Sequence, residues 1–231
     1  MLNTLSYIGL EARRQDRDRF LCTLFAQERK REGLYAVLAF NAEIAKSREV
    51  VREPLLGEIR LQWWRNVIGQ IYNNLDTEVK GHIIAAGLAQ TIAKYGLTRY
   101  LFDQLINARS KDMIQEPPRD EVEFRSYAVG TSAILIGLMM EVLVPKNESI
   151  SINQRKAAEH VGVAWSYTGI LRASSILAKY KRVCIPQSLM LKYGFNTDEY
   201  LAQKVTPEIQ QSTAYIVKLA RREIKYAREY L

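Results

Sequence analysis

The chain has 231 residues, of which 48% are hydrophobic and 25% are charged, a composition typical of a globular protein that excludes wholesale disorder. The 33 lysines and arginines outnumber the 25 aspartates and glutamates, which gives a formal net charge of +8 at pH 7. This excess leaves three classes of partner to consider: nucleic acid, an anionic membrane surface, and an acidic protein or small molecule.

The predicted elements are all helices. Between the prolines, apolar residues recur with the 3.6-residue period of an amphipathic helix, and no segment shows the two-residue alternation of a strand. In chain order, helices are predicted at residues 34–45, 59–71, 79–95, 99–113, 121–143, 153–179 and 207–231. We therefore expect an all-α protein with seven to nine helices around one core, forming a single domain over residues 1–231.

Two local features predict details of these helices. Trp63 and Trp64 are consecutive, so they cannot face the same way on a helix, and one is predicted in the core with the other partly exposed. Thr206 followed by Pro207 is typical of an N-cap and the first helical position, so the last helix is predicted to begin there.

The apolar segments favour a soluble protein. Residues 1–10 run directly into a charged stretch, without the small-residue end of a secretory signal. The longest apolar stretch, at residues 133–144, contains Glu141 and is shorter than the about 20 residues that a membrane span needs. This stretch is predicted to be a core helix.

Several kinds of site are unsupported by the sequence. Cys22 and Cys184 have no CxxC partner, which argues against a zinc site and fits a reducing compartment. His82 and His160 are isolated, and His160 is predicted to be a packed or half-exposed helix residue. No glycine-rich phosphate loop occurs. The basic run at residues 28–32 lacks interleaved aromatic residues, so nucleic acid is not an expected partner.

Polar residues interrupt two apolar helix faces. Asn41 lies in the stripe at residues 36–49 and needs a hydrogen-bond partner, either on a neighbouring helix or on a ligand. Arg172 lies among small and apolar residues at 164–177, where it either faces solvent or binds a carboxylate, a phosphate or several carbonyls. Both residues are ligand-binding candidates, together with Tyr167 in the same stretch.

Three stretches, at residues 24–51, 60–72 and 168–194, resemble the squalene/phytoene synthase family. The similarity runs from about Asp16 to the end of the chain and implies the isoprenoid synthase fold, an all-α bundle around a central cavity. In the family's enzymes two DxxxD-type motifs face each other across that cavity, and their carboxylates hold the Mg²⁺ ions that orient prenyl diphosphates. Family members usually continue beyond the helix that begins near Pro207, so either the chain is short or one wall of the cavity, made by the last helices, is incomplete.

This sequence departs from the family's pattern at the acidic positions. In the first motif, Ala45 stands where the first aspartate belongs, Lys46 follows it, and Glu49 takes the last acidic place. In the second motif, Ala173 and Leu177 occupy both aspartate positions. One carboxylate does not hold a Mg²⁺ cluster. No catalytic residue, metal ligand or cofactor is therefore expected, and ordinary prenyl transfer should be absent.

The stretches at residues 39–51, 60–72, 95–113 and 170–186 are similar to a non-catalytic branch of this family that also lacks the aspartates and acts in the assembly of respiratory complex I. This resemblance implies a protein partner near the inner membrane. It also implies a location in the bacterial cytoplasm or the mitochondrial matrix, peripheral to that membrane.

Three hypotheses remain open. The first is a pseudoenzyme that binds a protein partner, or an apolar or prenyl-diphosphate-like ligand, and docks on an anionic membrane surface. Its ligand-binding candidates are Asn41, Lys46, Arg48, Tyr167 and Arg172. The second is a prenyl diphosphate transferase of isoprenoid biosynthesis with an atypical active site, which would require Mg²⁺. The third is a soluble scaffold whose cavity is filled by its own side chains.

Overall fold

The structure is a computed structural model that describes residues 5–48, 53–73, 79, 81–114, 116–145 and 148–231. In these residues the α-helices are α1 (Tyr7–Gln15), α2 (Arg17–Thr23), α3 (Glu28–Ala45), α4 (Pro54–Asn73), α5 (Ile83–Tyr95), α6 (Arg99–Ser110), α7 (Glu121–Ala128), α8 (Ile134–Leu143), α9 (Ile152–Lys179), α10 (Gln187–Tyr193), α11 (Thr197–Leu201) and α12 (Pro207–Glu229). A 3₁₀ turn at Lys111–Met113 follows α6, and a π-helical segment at Val129–Ala133 joins α7 to α8. The described part of the chain contains no strand, which confirms the all-α prediction.

The predicted number of helices was too low, because the described residues contain twelve α-helices. The additional elements are short: α1 has nine residues, α2 and α10 have seven each, and α11 has five. A helix of fewer than about three turns shows too little of the 3.6-residue period to be recognised in a sequence. The predicted helix at 121–143 is also divided by the π-helical segment.

The long helices begin where their capping residues place them. The hydroxyl of Thr206 accepts a hydrogen bond from the Ile209 amide at 3.3 Å, which confirms the predicted start of α12. The helix predicted from residue 79 begins instead at Ile83. The reason is that the His82 ring nitrogen Nδ1 accepts from the Ala85 amide at 3.2 Å and acts as the N-cap.

The chain divides into two compact units. Unit 1 comprises Met1–Met113 and Gly137–Ile150, and unit 2 comprises Ile114–Ile136 and Ser151–Leu231. The expectation of a single domain over residues 1–231 stays a prediction.

In unit 1 the core is built on α3, which packs against α1, α4, α5 and α6. Phe40 of α3 lies edge-on to Trp64 and Phe102, with ring centroids 5.0 and 5.4 Å apart. Trp64 is 2% exposed and Trp63 is 42% exposed, which confirms that one tryptophan of the pair is in the core and the other is not. The buried aromatic cluster holds the C-terminal end of α3, which contains the first motif, in a packed environment.

In unit 2 the core is built on α9, with α12 along it and the π-helical segment crossing it. A Cβ atom added to Gly162 would overlap the backbone of Ala133, so only glycine allows α9 to approach this segment so closely. Phe124 of α7 stacks on Tyr167 of α9, with ring centroids 4.6 Å apart and planes 5° apart. These contacts fix the position of α9, which contains the second motif.

One helix among the described residues, Glu121–Leu143, is long and apolar enough to cross a membrane by length and composition alone, with a mean hydropathy of 1.6. Core helices of soluble proteins meet the same criteria. In this helix, 39% of the apolar window is buried inside the protein, and Leu135, Leu138 and Val142 are at most 1% exposed. One side of this helix is therefore in the core, but most of the apolar window is not buried, and the core helix at residues 133–144 stays a prediction.

Candidate functional site

The first motif lies at the C-terminal end of α3, in unit 1. The helix ends at Ala45, and Lys46 is its C-cap. Ala45 and Arg48 are both partly buried. Glu49, the one acidic residue at the matched positions, lies outside the described residues. The described part of this motif therefore presents a methyl group and cations where the family's enzymes begin an acidic motif.

Lys46 is held by neighbouring polar groups. Its Nζ lies 3.7 Å from Oε1 of Glu43, one helical turn earlier. Arg60 of α4 places Nη2 3.5 Å from the other carboxylate oxygen of Glu43. With the Gln15 amide turned to suit its neighbours, its oxygen accepts a hydrogen bond from Lys46 Nζ at 2.9 Å. Among these four side chains Glu43 is the only acidic one, and its carboxylate lies close to both Lys46 and Arg60.

Asn41 has its hydrogen-bond partner on a neighbouring helix. Its side chain is 7% exposed, and its Oδ1 accepts from Nη2 of Arg109 in α6 at 3.3 Å. The Nη1 atom of Arg109 lies 3.4 Å from the carboxylate of Asp112, which is 4% exposed. Of the two alternatives left open by the sequence, the structure shows the contact with a neighbouring helix. The proposed role of Asn41 in ligand binding stays a prediction.

Sequence reasoning missed Arg19, another cation of this region. Its Nη1 donates to Asp16 at 2.6 Å. Burial lowers the pKa of Arg19; the charge and hydrogen bond of Asp16 oppose this, while the charge of Arg109 adds to it. The two arginines therefore act on each other electrostatically.

The second motif lies on α9, in unit 2. Ala173 and Leu177 are partly buried, and Arg172 lies on an exposed part of the helix. Tyr167, one turn before Leu171, is 3% exposed in the stack with Phe124. Burial raises the pKa of Tyr167 to about 12, with a smaller contribution from nearby negative charge. Tyr167 is thus a core residue of unit 2, and a role for it in ligand binding stays a prediction, as it does for Arg172.

Unit 2 also contains a buried polar cluster that sequence reasoning missed. Glu223 of α12 is 4% exposed, and its Oε2 lies 2.6 Å from Nδ1 of His160 on α9. Its Oε1 lies 3.4 Å from Nε of Arg125, which also donates to Glu159 at 2.9 Å. Burial alone would lower the pKa of Arg125, but the hydrogen bond with Glu159 and the charge of Glu223 outweigh it and raise that pKa. His160 is therefore a packed helix residue, as predicted.

The one local indication of this cluster was a glutamate on the buried side of an amphipathic helix. The pairing itself left no signal in the sequence, because 63 residues separate Glu223 from His160. Such a residue needs a partner, but its identity depends on how the helices pack.

The all-α fold is that of an isoprenoid synthase-type protein. The family model for squalene/phytoene synthase matches residues 12–231. The chain therefore belongs to the squalene/phytoene synthase family.

Three similar proteins place this membership in context. The chain is 25% identical over 218 residues to complex I assembly factor 6 of Bos taurus, covering 94% of this chain and 63% of the relative. The Homo sapiens protein of the same name is 24% identical with the same coverage. The chain thus spans less than two thirds of the length of these relatives. The crystal structure of squalene synthase HpnC from Alicyclobacillus acidocaldarius has a TM-score of 0.80 at 16% identity, covering 96% of this chain and 81% of that one, which confirms the isoprenoid synthase-type fold.

The described residues at the matched positions do not fit Mg²⁺. This ion prefers several carboxylate oxygens and gives up its water reluctantly. Ala45, Ala173 and Leu177 offer no side-chain oxygen, and Lys46 adds a positive charge. Glu43, two residues before Ala45, is already within 4 Å of two cationic side chains, at 3.7 and 3.5 Å.

Proposed function

We propose that this protein is a non-catalytic member of the squalene/phytoene synthase family that acts in the biogenesis of respiratory complex I by binding a protein partner. The similarity to complex I assembly factor 6 over 94% of the chain supports the assembly role. The non-catalytic part of the proposal rests on the end of α3. There Lys46 follows Ala45, and its Nζ lies 3.7 Å from the carboxylate of Glu43.

The physical argument concerns the leaving group of prenyl transfer. A diphosphate leaves readily only when its negative charge is neutralised, and Mg²⁺ ions held by carboxylates supply that charge in the family's enzymes. Here the matched residues supply a methyl group at Ala45 and Ala173 and an isobutyl group at Leu177. Lys46 brings one positive charge, which Glu43 partly offsets. Binding of an anionic or apolar ligand is compatible with these residues, whereas metal-assisted ionisation is not.

We propose a peripheral location at the inner membrane, on the matrix side in mitochondria or the cytoplasmic side in bacteria. The formal net charge of +8 supports attraction to an anionic bilayer. Each basic residue near such a surface contributes about 1 kcal/mol. A peripheral position would bring the protein close to a partner that is being assembled in the membrane.

The non-catalytic part is tested with the purified chain and farnesyl diphosphate, with and without Mg²⁺. Titration calorimetry measures binding, and chromatography of the extracted products measures turnover. We expect no squalene, phytoene or other prenyl product under either condition, while a squalene synthase assayed in parallel forms product. Metal-dependent product from this chain would contradict the proposal and favour an atypical prenyl transferase.

The assembly part is tested by deleting the gene in its own organism. We expect less fully assembled complex I on a native gel and lower NADH dehydrogenase activity in membranes, both restored by the wild-type gene. A normal level of assembled complex I in the deletion strain would contradict this part. The variant Arg172→Ala, in the rescue gene, then tests whether the exposed part of α9 contributes to partner binding.

A further inference from the structure

The turn between α2 and α3 holds Phe25 in an exposed position. Phe25 is 95% exposed, although it lies between residues whose backbone is well ordered by hydrogen bonds. The amides of Leu24, Phe25 and Ala26 donate to the carbonyls three residues earlier, at 3.2, 3.3 and 3.0 Å. Because a side chain this exposed touches almost nothing of its own unit, Phe25 lies at a protruding point of unit 1.

Arg31 holds this turn from the first part of α3. Its Nη2 donates to the carbonyl of Leu24 at 2.9 Å, and its Nε donates to the carbonyl of Ala26 at 3.0 Å. The two carbonyls lie immediately before and after Phe25. An arginine that binds both sides of a turn restricts the backbone of the residue between them. The backbone of Phe25 is therefore held in place while its side chain is exposed.

Apolar and basic side chains continue from this turn along α2 and α1. Leu21 and Leu24 are 46% and 41% exposed. Arg17 precedes Leu21 by four residues within α2, Arg13 lies in α1 before the break at Asp16, and both arginines are exposed. Within the described residues, neither Arg13 nor Arg17 forms an ion pair. We call Arg13, Arg17, Leu21, Leu24 and Phe25 the N-terminal face.

A cleft of about 660 Å³ lies beside these residues. Its lining includes the N-terminal arginines, and its apolar part includes Phe20 and Tyr35, whose rings stack with centroids 5.2 Å apart. Glu28 and Glu32 also line it, and Glu32 accepts a hydrogen bond from the Ser6 hydroxyl at 2.8 Å. The lining of the cleft thus combines apolar side chains, guanidinium groups and two carboxylates.

We propose that the N-terminal face docks the protein on an anionic phospholipid bilayer, with Phe25 in the interfacial region and Arg13 and Arg17 at the level of the lipid phosphates. The proposal rests on the peripheral membrane location given under Proposed function and identifies the surface responsible. Exposed apolar residues with basic residues close to them favour binding in the interfacial region of an anionic bilayer.

The exposure of Phe25 favours a bilayer over a protein as the occupant. Anchor residues of protein interfaces usually lie in packed surroundings that exclude water around them. A single protruding aromatic residue needs no preformed partner pocket when its environment is a fluid interface. Guanidinium groups also form bidentate hydrogen bonds with phosphate, so the two arginines match the charge and the geometry of lipid headgroups.

The test compares sedimentation of the full chain with two kinds of vesicle. One consists of phosphatidylcholine alone, and the other contains phosphatidylcholine and phosphatidylglycerol in equal amounts. We expect binding to the anionic vesicles that weakens as salt rises, and little binding to the neutral ones. Comparable affinity for both kinds of vesicle would overturn the proposal.

Matched variants separate this face from the overall charge. We expect Phe25→Ala to weaken binding to anionic vesicles about tenfold. The double variant Arg13→Gln/Arg17→Gln should weaken it about thirtyfold, because each basic residue near the surface is worth about fivefold. The controls are Leu191→Ala, whose side chain is 84% exposed in α10, and Arg221→Gln/Arg222→Gln, two exposed residues of α12. The controls should stay within about twofold of wild type.

All altered residues are exposed, so the variants should keep the wild-type helical circular dichroism and unfolding temperature. Binding that the N-terminal variants leave unchanged would overturn the proposed face but not the membrane location. No binding to anionic vesicles would overturn both. If complex I assembly still depended on the gene in that case, the assembly role would stand and the N-terminal face would be assigned to a protein partner instead.

Discussion

Lys46 occupies the position next to the start of the family's first acidic motif, and it forms an ion pair with Glu43. Arg60 reaches the second oxygen of the same carboxylate at 3.5 Å. A lysine offsets phosphate charge that a metal ion would otherwise neutralise. Any anionic ligand at the end of α3 therefore competes with Glu43 for Lys46 and Arg60.

This competition predicts opposite effects of two substitutions. For inorganic pyrophosphate without Mg²⁺, Lys46→Ala should lower the affinity about fivefold, because it removes one cation. Glu43→Gln should raise the affinity by a similar factor, because it releases two. Titration calorimetry measures both, with Lys218→Ala, an exposed lysine of α12, as the control. Equal affinity in all three variants and wild type would argue against an anion site at this end of α3.

Glu223 is a buried acidic residue of unit 2. It is 4% exposed and contacts His160 and Arg125. We expect Glu223→Ala to lower the free energy of unfolding by about 2–3 kcal/mol, because His160 and Arg125 lose their buried acidic partner. The loss is limited because Arg125 remains partly solvated. Glu159→Ala removes the exposed acceptor of the same arginine and should cost about 0.5 kcal/mol or less. Denaturant unfolding measures the free energy of unfolding of both variants. Equal losses would contradict the larger contribution expected of the buried Glu223.

At the scale of elements, α9 carries the second motif and closely approaches the π-helical segment of unit 2. Leu177 and Ala173 lie near its C-terminal end, while Gly162 in its first half meets the π-helical segment. The crossing orients the helix, so the side chains presented near its end depend on a glycine more than two turns away. A capping box at Ser151 and Gln154 fixes the other end of the same helix.

Two glycines of α9 should respond in opposite ways to alanine. Gly162→Ala forces a methyl group onto the Ala133 backbone and should lower the free energy of unfolding by about 1–3 kcal/mol. Gly169→Ala meets no heavy atom within 4 Å and should raise it by about 0.5–1 kcal/mol, because alanine favours the helix. Thermal and denaturant unfolding of the two variants measure the difference. A neutral effect of Gly162→Ala would show that the crossing tolerates a wider spacing.

At the scale of the whole molecule, several buried tyrosines link folding to pH. Burial raises the pKa of Tyr167 and of Tyr200 to about 12, above the ordinary value of 10.0. Tyr72 shifts in the same direction, again mainly by burial, and its hydroxyl donates to the Leu97 carbonyl at 2.6 Å. The folded chain therefore retains protons that the unfolded chain loses.

The stability that these protons contribute is fully present below pH 10 and is lost as the pH rises toward about 12. Each such tyrosine should reduce the free energy of unfolding by about 1.4 kcal/mol per pH unit in that window. Tyr167→Phe should make the decline shallower by that amount, whereas Tyr100→Phe, 64% exposed, should leave it unchanged. Denaturant unfolding at a series of pH values measures the slopes, and an unchanged slope in Tyr167→Phe would contradict the prediction.

The sequence by itself determined the helical class and the long helices, and it predicts the loss of the acidic motifs. These features are local: a 3.6-residue period, the Thr206 cap and the identities of Ala45, Ala173 and Leu177 are present in short segments. Family resemblance rests on the same segments and was confirmed over residues 12–231. The short helices α1, α2, α10 and α11 escaped prediction because they contain too few turns to show a period.

Only the tertiary structure decided which polar groups meet. Asn41 pairs with Arg109 across 68 positions of the chain, and His160 meets Glu223 across 63. The burial of Tyr167 and the exposure of Phe25 likewise depend on neighbours from other helices. A sequence pattern shows that a buried polar group needs a partner, but packing selects that partner, because the hydrogen bond forms between helices that are distant in the chain.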